Sequence, residues 1–108
     1  MVVKDKVGRK RYIAFTVDAD RSLRRHEMIR GINQVIPPGM NKEDVRLTVF
    51  TQDAGIVLCP HIKKEEMIKA LNSIKHIAGT RAEVRTVITS GTIKKAKEKL
   101  EKVVKHPL

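Results

Sequence analysis

The chain has 108 residues, 41% of them hydrophobic and only 3% aromatic, so it can build one modest aliphatic core and has no room for two. Its 23 Lys and Arg outnumber 12 Asp and Glu, and the formal charge of +11 points to a polyanionic partner, most simply nucleic acid. A single cysteine excludes an intrachain disulfide, and no apolar run reaches the roughly 18 residues of a membrane span.

Two other sources of the charge fit less well. A solvated, heat-adapted surface would raise both signs together, and here the excess is one-sided. An anionic membrane is the other, but the N-terminal stretch lacks the apolar segment of a secretory signal, which with the lone cysteine predicts a cytoplasmic protein. The chain contains no linker, repeat or low-complexity segment and reads as a single domain over 1–108, with 1–9 a short, charged, loose lead-in.

Residues 11–17 alternate, with Ile13, Phe15 and Val17 on one face and Tyr12, Ala14 and Thr16 on the other, which predicts a strand with one buried side. Asp18-Ala19-Asp20 turns the chain. Asp20 or Ser22 is placed to cap a helix over 22–36, whose Met28, Ile29, Ile32, Val35 and Ile36 recur at helical spacing. Pro37-Pro38-Gly39 ends it. Residues 45–50 and 55–59 predict a hairpin closed by a tight connection at 52–54. A second helix is expected over 65–77, with Gly79 as its stop, then a fourth strand over 83–89 and a last helix after Ser90-Gly91.

The order is β-α-β-β-α-β-α. Its first six elements match the split β-α-β pattern and predict an α+β fold: a four-stranded antiparallel sheet with two helices on one face and the third helix as an addition.

That last helix carries the most informative charges. Lys94, Lys95, Lys97, Lys99, Lys102 and Lys105 stand against only Glu98 and Glu101. Cations near a helix C-terminus are favourable, which accounts for the later lysines as a solvated face. Lys94 and Lys95 sit instead at the positive end of the helix, where each costs about 0.3–1 kcal/mol. Their placement makes sense if an anion occupies that end. Backbone N–H groups over 91–93 would face a phosphate, Ser90 and Thr92 would add hydroxyls, and Gly91 would allow close approach. The bland reading is a plain capped helix. A second basic cluster, Arg9, Lys10 and Arg11, leads into the first strand, and Arg85 extends the basic surface along the fourth. With the first and fourth strands taken as separated, this cluster need not touch the last helix, and a broad basic surface is expected rather than one pocket.

Other chemistry finds little support. Only Tyr12 and Phe50 could stack bases on a sheet face, and the Lys/Arg-Gly-Phe/Tyr-Gly/Ala-Phe motif of base-stacking readers is absent, so contacts to phosphates and to folded RNA shape fit better. Cys59-Pro60-His61 has no second cysteine, and His26, His61, His76 and His106 are scattered, so no metal site is expected. Asp18 and Asp20 read as a capping turn rather than a Mg²⁺ site. No catalytic constellation is present.

Arg11-Tyr12-Ile13-Ala14-Phe15, Gly55-Ile56-Val57-Leu58-Cys59, and Arg85-Thr86 followed by Ser90-Gly91-Thr92-Ile93-Lys94-Lys95-Ala96-Lys97 resemble the archaeal and eukaryotic ribonuclease P protein component 2 family. The resemblance runs from about residue 10 to 100, and Ser-Gly-Thr-Ile-Lys after a strand is its most specific part. It implies an RNA-recognition-like, ferredoxin-like sandwich. It also implies a role in a ribonucleoprotein endoribonuclease that removes 5′ leaders from precursor tRNA. In that family the catalyst is the RNA subunit with Mg²⁺. The protein partners with component 3 and ribonuclease P RNA, meets precursor tRNA indirectly, and holds no cofactor of its own.

The chain departs from the family where Leu58 replaces a frequent basic residue and where Val87-Ile88-Thr89 replaces Leu-Gly-Val. The loops over 37–44 and 52–54 are short, which leaves self-association open. A stand-alone RNA- or DNA-binding module, without any ribonuclease P role, is the competing reading. A small-molecule regulatory domain on the same topology is a third, at odds with the charge.

Overall fold

The computed structural model describes residues 9–51 and 53–105; residues 1–8 of the expected loose segment over 1–9, Gln52 and residues 106–108, His106 among them, lie outside the described residues. Five strands form one antiparallel sheet: β1 (Lys10–Ala19), β2 (Arg46–Phe50), β3 (Ala54–Pro60), β4 (His76–Ile77) and β5 (Thr80–Ser90). Three helices join them: α1 (Arg25–Val35), α2 (Lys64–Asn72) and α3 (Ile93–Val104). The strand order is β2-β3-β1-β5-β4. The α+β class holds, and the expected count of four strands is corrected to five.

The extra strand lies where the sequence reads as helix. Ile74, Ile77 and Ala78 continue the apolar spacing of α2, yet the helix ends at Asn72. Ala78 and Gly79, at φ 52° and 76°, instead turn β4 back onto β5. Two left-handed residues in succession make the hairpin turn that matches strand twist. Gly79 is therefore a hairpin residue and not a helix stop.

β1 is central, and both its faces are covered. Ile13, Phe15 and Val17 pack with Met28 and Ile32 of α1 and Met67 and Leu71 of α2. On the opposite face Ala14, Ala54 and Ile56 pack with Ala96 and Leu100 of α3, with Tyr12 and Val49 partly buried beside them. The expectation of one buried side to β1 fails because α3 closes the second face. Burial of both small and large apolar side chains in two layers is the main source of stability, at about 25 cal/mol per Å² removed from water. Register shifts between Ala14 and Phe15 and between Leu47 and Val49 re-aim the side chains of β5 and β2.

Neither Asp20 nor Ser22 caps α1. The helix starts at Arg25, and Glu27 Oε1 accepts from the Arg24 backbone N–H at 2.9 Å. Arg21 grips the same carboxylate at 2.9 Å. These contacts, the Arg21 hydrogen bond first, hold the Glu27 carboxyl down at about 2. Asp20 accepts from Arg81 Nε at 2.9 Å, and Asp18 lies 3.8 Å from the same guanidinium. Both acids thus serve a strand-to-strand ion cluster.

Candidate nucleic-acid interface

β1 and β5 are neighbours, with Tyr12 opposite Ser90 and Ile13 opposite Thr89. The expected separation of the first and last long strands is therefore wrong. The basic lead-in to β1 meets the segment that starts α3.

Arg11 makes the junction. Its Nε donates to His61 Nδ1 at 2.9 Å. Its Nη1 fills the space a side chain at Gly91 would need, 2.7 Å from where a Cβ would stand. Gly91 is not in the left-handed region, since the positive-φ glycines are Gly39 and Gly79. Its missing side chain admits the guanidinium. The His61 backbone N–H donates to Arg9 O at 3.0 Å, and Lys10 lies opposite Pro60, so Arg9, Lys10 and Arg11 are held against the end of β3.

His61 accepts at Nδ1 and is therefore neutral there. Partial burial, then the nearby charges of Arg11, Lys64 and Arg9, pull its pKa below the ordinary 6.5. A neutral acceptor orients the guanidinium without cancelling its charge.

The head of α3 follows. Thr92 is the N-cap, and its Oγ1 accepts from Lys95 N–H at 3.3 Å. Ser90 Oγ accepts from Thr92 N–H at 3.2 Å. Both hydroxyl oxygens thus cap the chain locally, and their O–H groups point to no partner among the described residues. The first turn holds no acid. Lys94 and Lys95 are exposed and Lys97 is half-buried one turn on. None of the three makes an ion pair among the described residues. Ala96 and Leu100 anchor the helix on the sheet, which fixes the direction in which the lysines face.

Nine of the ten candidate residues gather at this end of the sheet: Arg9, Lys10, Arg11, Ser90, Gly91, Thr92, Lys94, Lys95 and Lys97. Arg85 does not. It pairs across from Thr16, five residues up β5 from Ser90, or about 17 Å along an extended strand. His61 was weighed in the sequence only as a metal ligand, and its link to Arg11 crosses 50 residues that no local pattern reveals. Cys59 beside it is fully buried in the core below α1 and α2. Tyr12 is half-buried beneath α3 and Phe50 packs against the α1–α2 core, so neither stands on an open sheet face.

The arrangement is a cationic ridge of guanidinium, lysines and the first N–H groups of a helix, with no nucleophile or base poised beside an acid among the described residues. Such an arrangement can hold phosphate oxygens.

The family model described as the Rpp14/Pop5 family matches residues 11–101. A curated relative from Methanosarcina barkeri, named Ribonuclease P protein component 2, is 30% identical over 97 residues, covering 85% of this chain and 72% of that one. A protein of the same name from Archaeoglobus fulgidus is 30% identical over 96 residues, 85% of this chain and 88% of that one. The match from Arg11 through the head of α3 to Glu101 takes in both sides of the junction, and the chain belongs to the Rpp14/Pop5 family.

Proposed function

We infer that this chain is a protein subunit of ribonuclease P, active only within that complex. It binds the catalytic RNA and supports removal of 5′ leaders from precursor tRNA. Membership of a family whose curated relatives are named Ribonuclease P protein component 2 supports the assignment. The observation that carries the RNA-binding role is the acid-free first turn of α3, which holds Lys94 and Lys95, with the Arg11 guanidinium against Gly91 just ahead of it.

Phosphates of the RNA lie at the head of α3, where Ser90, Gly91 and Thr92 supply polar backbone and Lys94, Lys95 and Lys97 supply charge. Arg9, Lys10 and Arg11 extend the grip, and Arg85 adds a separate contact. The sheet reads as an RNA-recognition-like, ferredoxin-like sandwich with an added hairpin and a helix over its second face. The Mg²⁺ of the reaction belongs to the RNA. Among the described residues no group of three or more His, Cys, Asp or Glu could hold an ion. Component 3 is the protein partner, precursor tRNA is met indirectly, and the complex works in the cytoplasm. No helix of the described residues is long and apolar enough to cross a membrane.

The test is cleavage of precursor tRNA at low Mg²⁺ by ribonuclease P RNA and component 3 from the same source, with and without this chain. Correct 5′ cleavage that appears only on adding the chain is the expected result. RNA binding with no change in rate or Mg²⁺ requirement would favour the stand-alone binding module instead.

A further inference from the structure

A second cationic surface lies on the other side of the sheet. α1 packs on the face opposite α3, and its outer side exposes Arg24, Arg25, His26 and Arg30. A cleft of about 370 Å³ runs between this helix and the turn over 42–44, lined by His26, Ile29, Arg30, Asn33, Gln34 and Lys42. No carboxylate lines it. Glu27, the one acid of α1, is held by Arg21. Asp44 accepts from the Asn41 backbone N–H at 3.4 Å, and Glu43 beside Lys42 makes no ion pair among the described residues.

Arg25 ties this surface to β2. Its Nη2 donates to Leu47 O, which anchors the start of the helix to the edge strand. Arg30 and Lys42 form no ion pair among the described residues. Like charges that line one cleft while the nearby acids stay outside it weaken a fold, and the arrangement becomes favourable when an outside polyanion enters the cleft. The lining narrows the partner further. Asn33 and Gln34 each offer a donor and an acceptor, the pairing that base edges and ribose hydroxyls use. Ile29 is the only aliphatic side chain there, too little for the apolar centre of a protein interface.

We propose that α1, with Lys42, is a second RNA-binding surface. It contacts a different segment of the RNA from the one held at the head of α3, so the chain lies between two RNA segments. This rests on the ribonuclease P reading, and the test separates the two.

The full chain would be titrated with ribonuclease P RNA over a range of salt, with hydroxyl-radical footprinting of the bound RNA. Arg30→Gln with Lys42→Gln should weaken binding on the order of tenfold and lower the salt slope by about 1.4–1.8. The nucleotides that lose protection should differ from those lost with Lys94→Gln and Lys95→Gln. Urea midpoints check that each variant is folded, and Arg30→Lys with Lys42→Arg should keep the slope. If only the α3 pair changes affinity and slope, the second surface is overturned and the functional reading stands. Loss of the same nucleotides by both pairs overturns the two-segment arrangement. If the α1 pair alters only binding to component 3, the surface is a protein contact and the proposal falls. If neither pair matters, both readings fail.

Discussion

Arg11 Nε and His61 Nδ1 lie 2.9 Å apart, with Arg11 as donor and His61 as acceptor. The bond requires a neutral imidazole, and the folded protein lowers the pKa of His61 below 6.5. The unfolded chain therefore binds this proton more readily. Stability from the contact is complete above pH 6.5 and is lost as pH falls through the lowered folded value. Urea midpoints measured from pH 7.5 down to 5 should drop more in the wild type than in His61→Asn. Parallel curves would show that the bond contributes nothing. Glu27 titrates in a separate, more acidic window, between 4.5 and about 2.

Lys94 and Lys95 oppose the dipole of α3, so function and stability should pull apart there. Lys94→Glu with Lys95→Glu should stabilise the fold by at least about 0.3–1 kcal/mol per site. The same variant should bind RNA far more weakly, with the salt slope reduced by at least two charges' worth. Thermal melts and salt-dependent RNA titration read the two effects. A variant that is less stable, or that binds as before, would remove the phosphate site.

Two glycines differ in what crowds them. A Cβ at Gly55 would stand 2.6 Å from Phe15 Cζ and 2.9 Å from the Val49 backbone oxygen. Neither can move freely, so Gly55→Ala should cost about 1–3 kcal/mol in urea unfolding. A Cβ at Gly91 meets only the tip of the Arg11 side chain. Gly91→Ala should stay within about 0.5 kcal/mol of wild type yet bind RNA more weakly, because the guanidinium is pushed off the head of α3.

Cys59 is fully buried, and burial pushes its thiol up to about 11, against a smaller opposing pull from Lys10. Its reaction with a thiol reagent at pH 8 should track unfolding and rise with urea. Rapid labelling of the native chain would contradict the position of β3 in the core.

The long strands were legible because Ile13, Phe15 and Val17 alternate in the way a half-buried strand must. The second covered face had a signal that the alternation hid. Gly55-Ile56-Val57-Leu58-Cys59 is a continuous apolar run, the mark of a strand buried on both sides, and small Ala14 and Ala54 leave room for a helix. β4 was illegible because Ile74 and Ile77 keep helical spacing through a break that backbone turn geometry, and not hydrophobicity, imposes. Of the site, the charges of α3 could be read locally. The meeting of Arg11, His61 and Gly91 is a product of strand order, which single residues do not announce.

The pairing of β1 with β5 also governs when this protein can act during its own synthesis. The first long strand waits in the middle of the sheet for the last one, and Arg11 has no Gly91 to lie against until the final strand has left the ribosome. Contacts this distant in sequence are slow to close. A chain that stops before Ser90 carries much of the positive charge and the Arg11–His61 side of the junction, but neither Gly91 nor α3. On the proposed function, the cationic ridge at the head of α3 is complete only once the last strand and helix have been made.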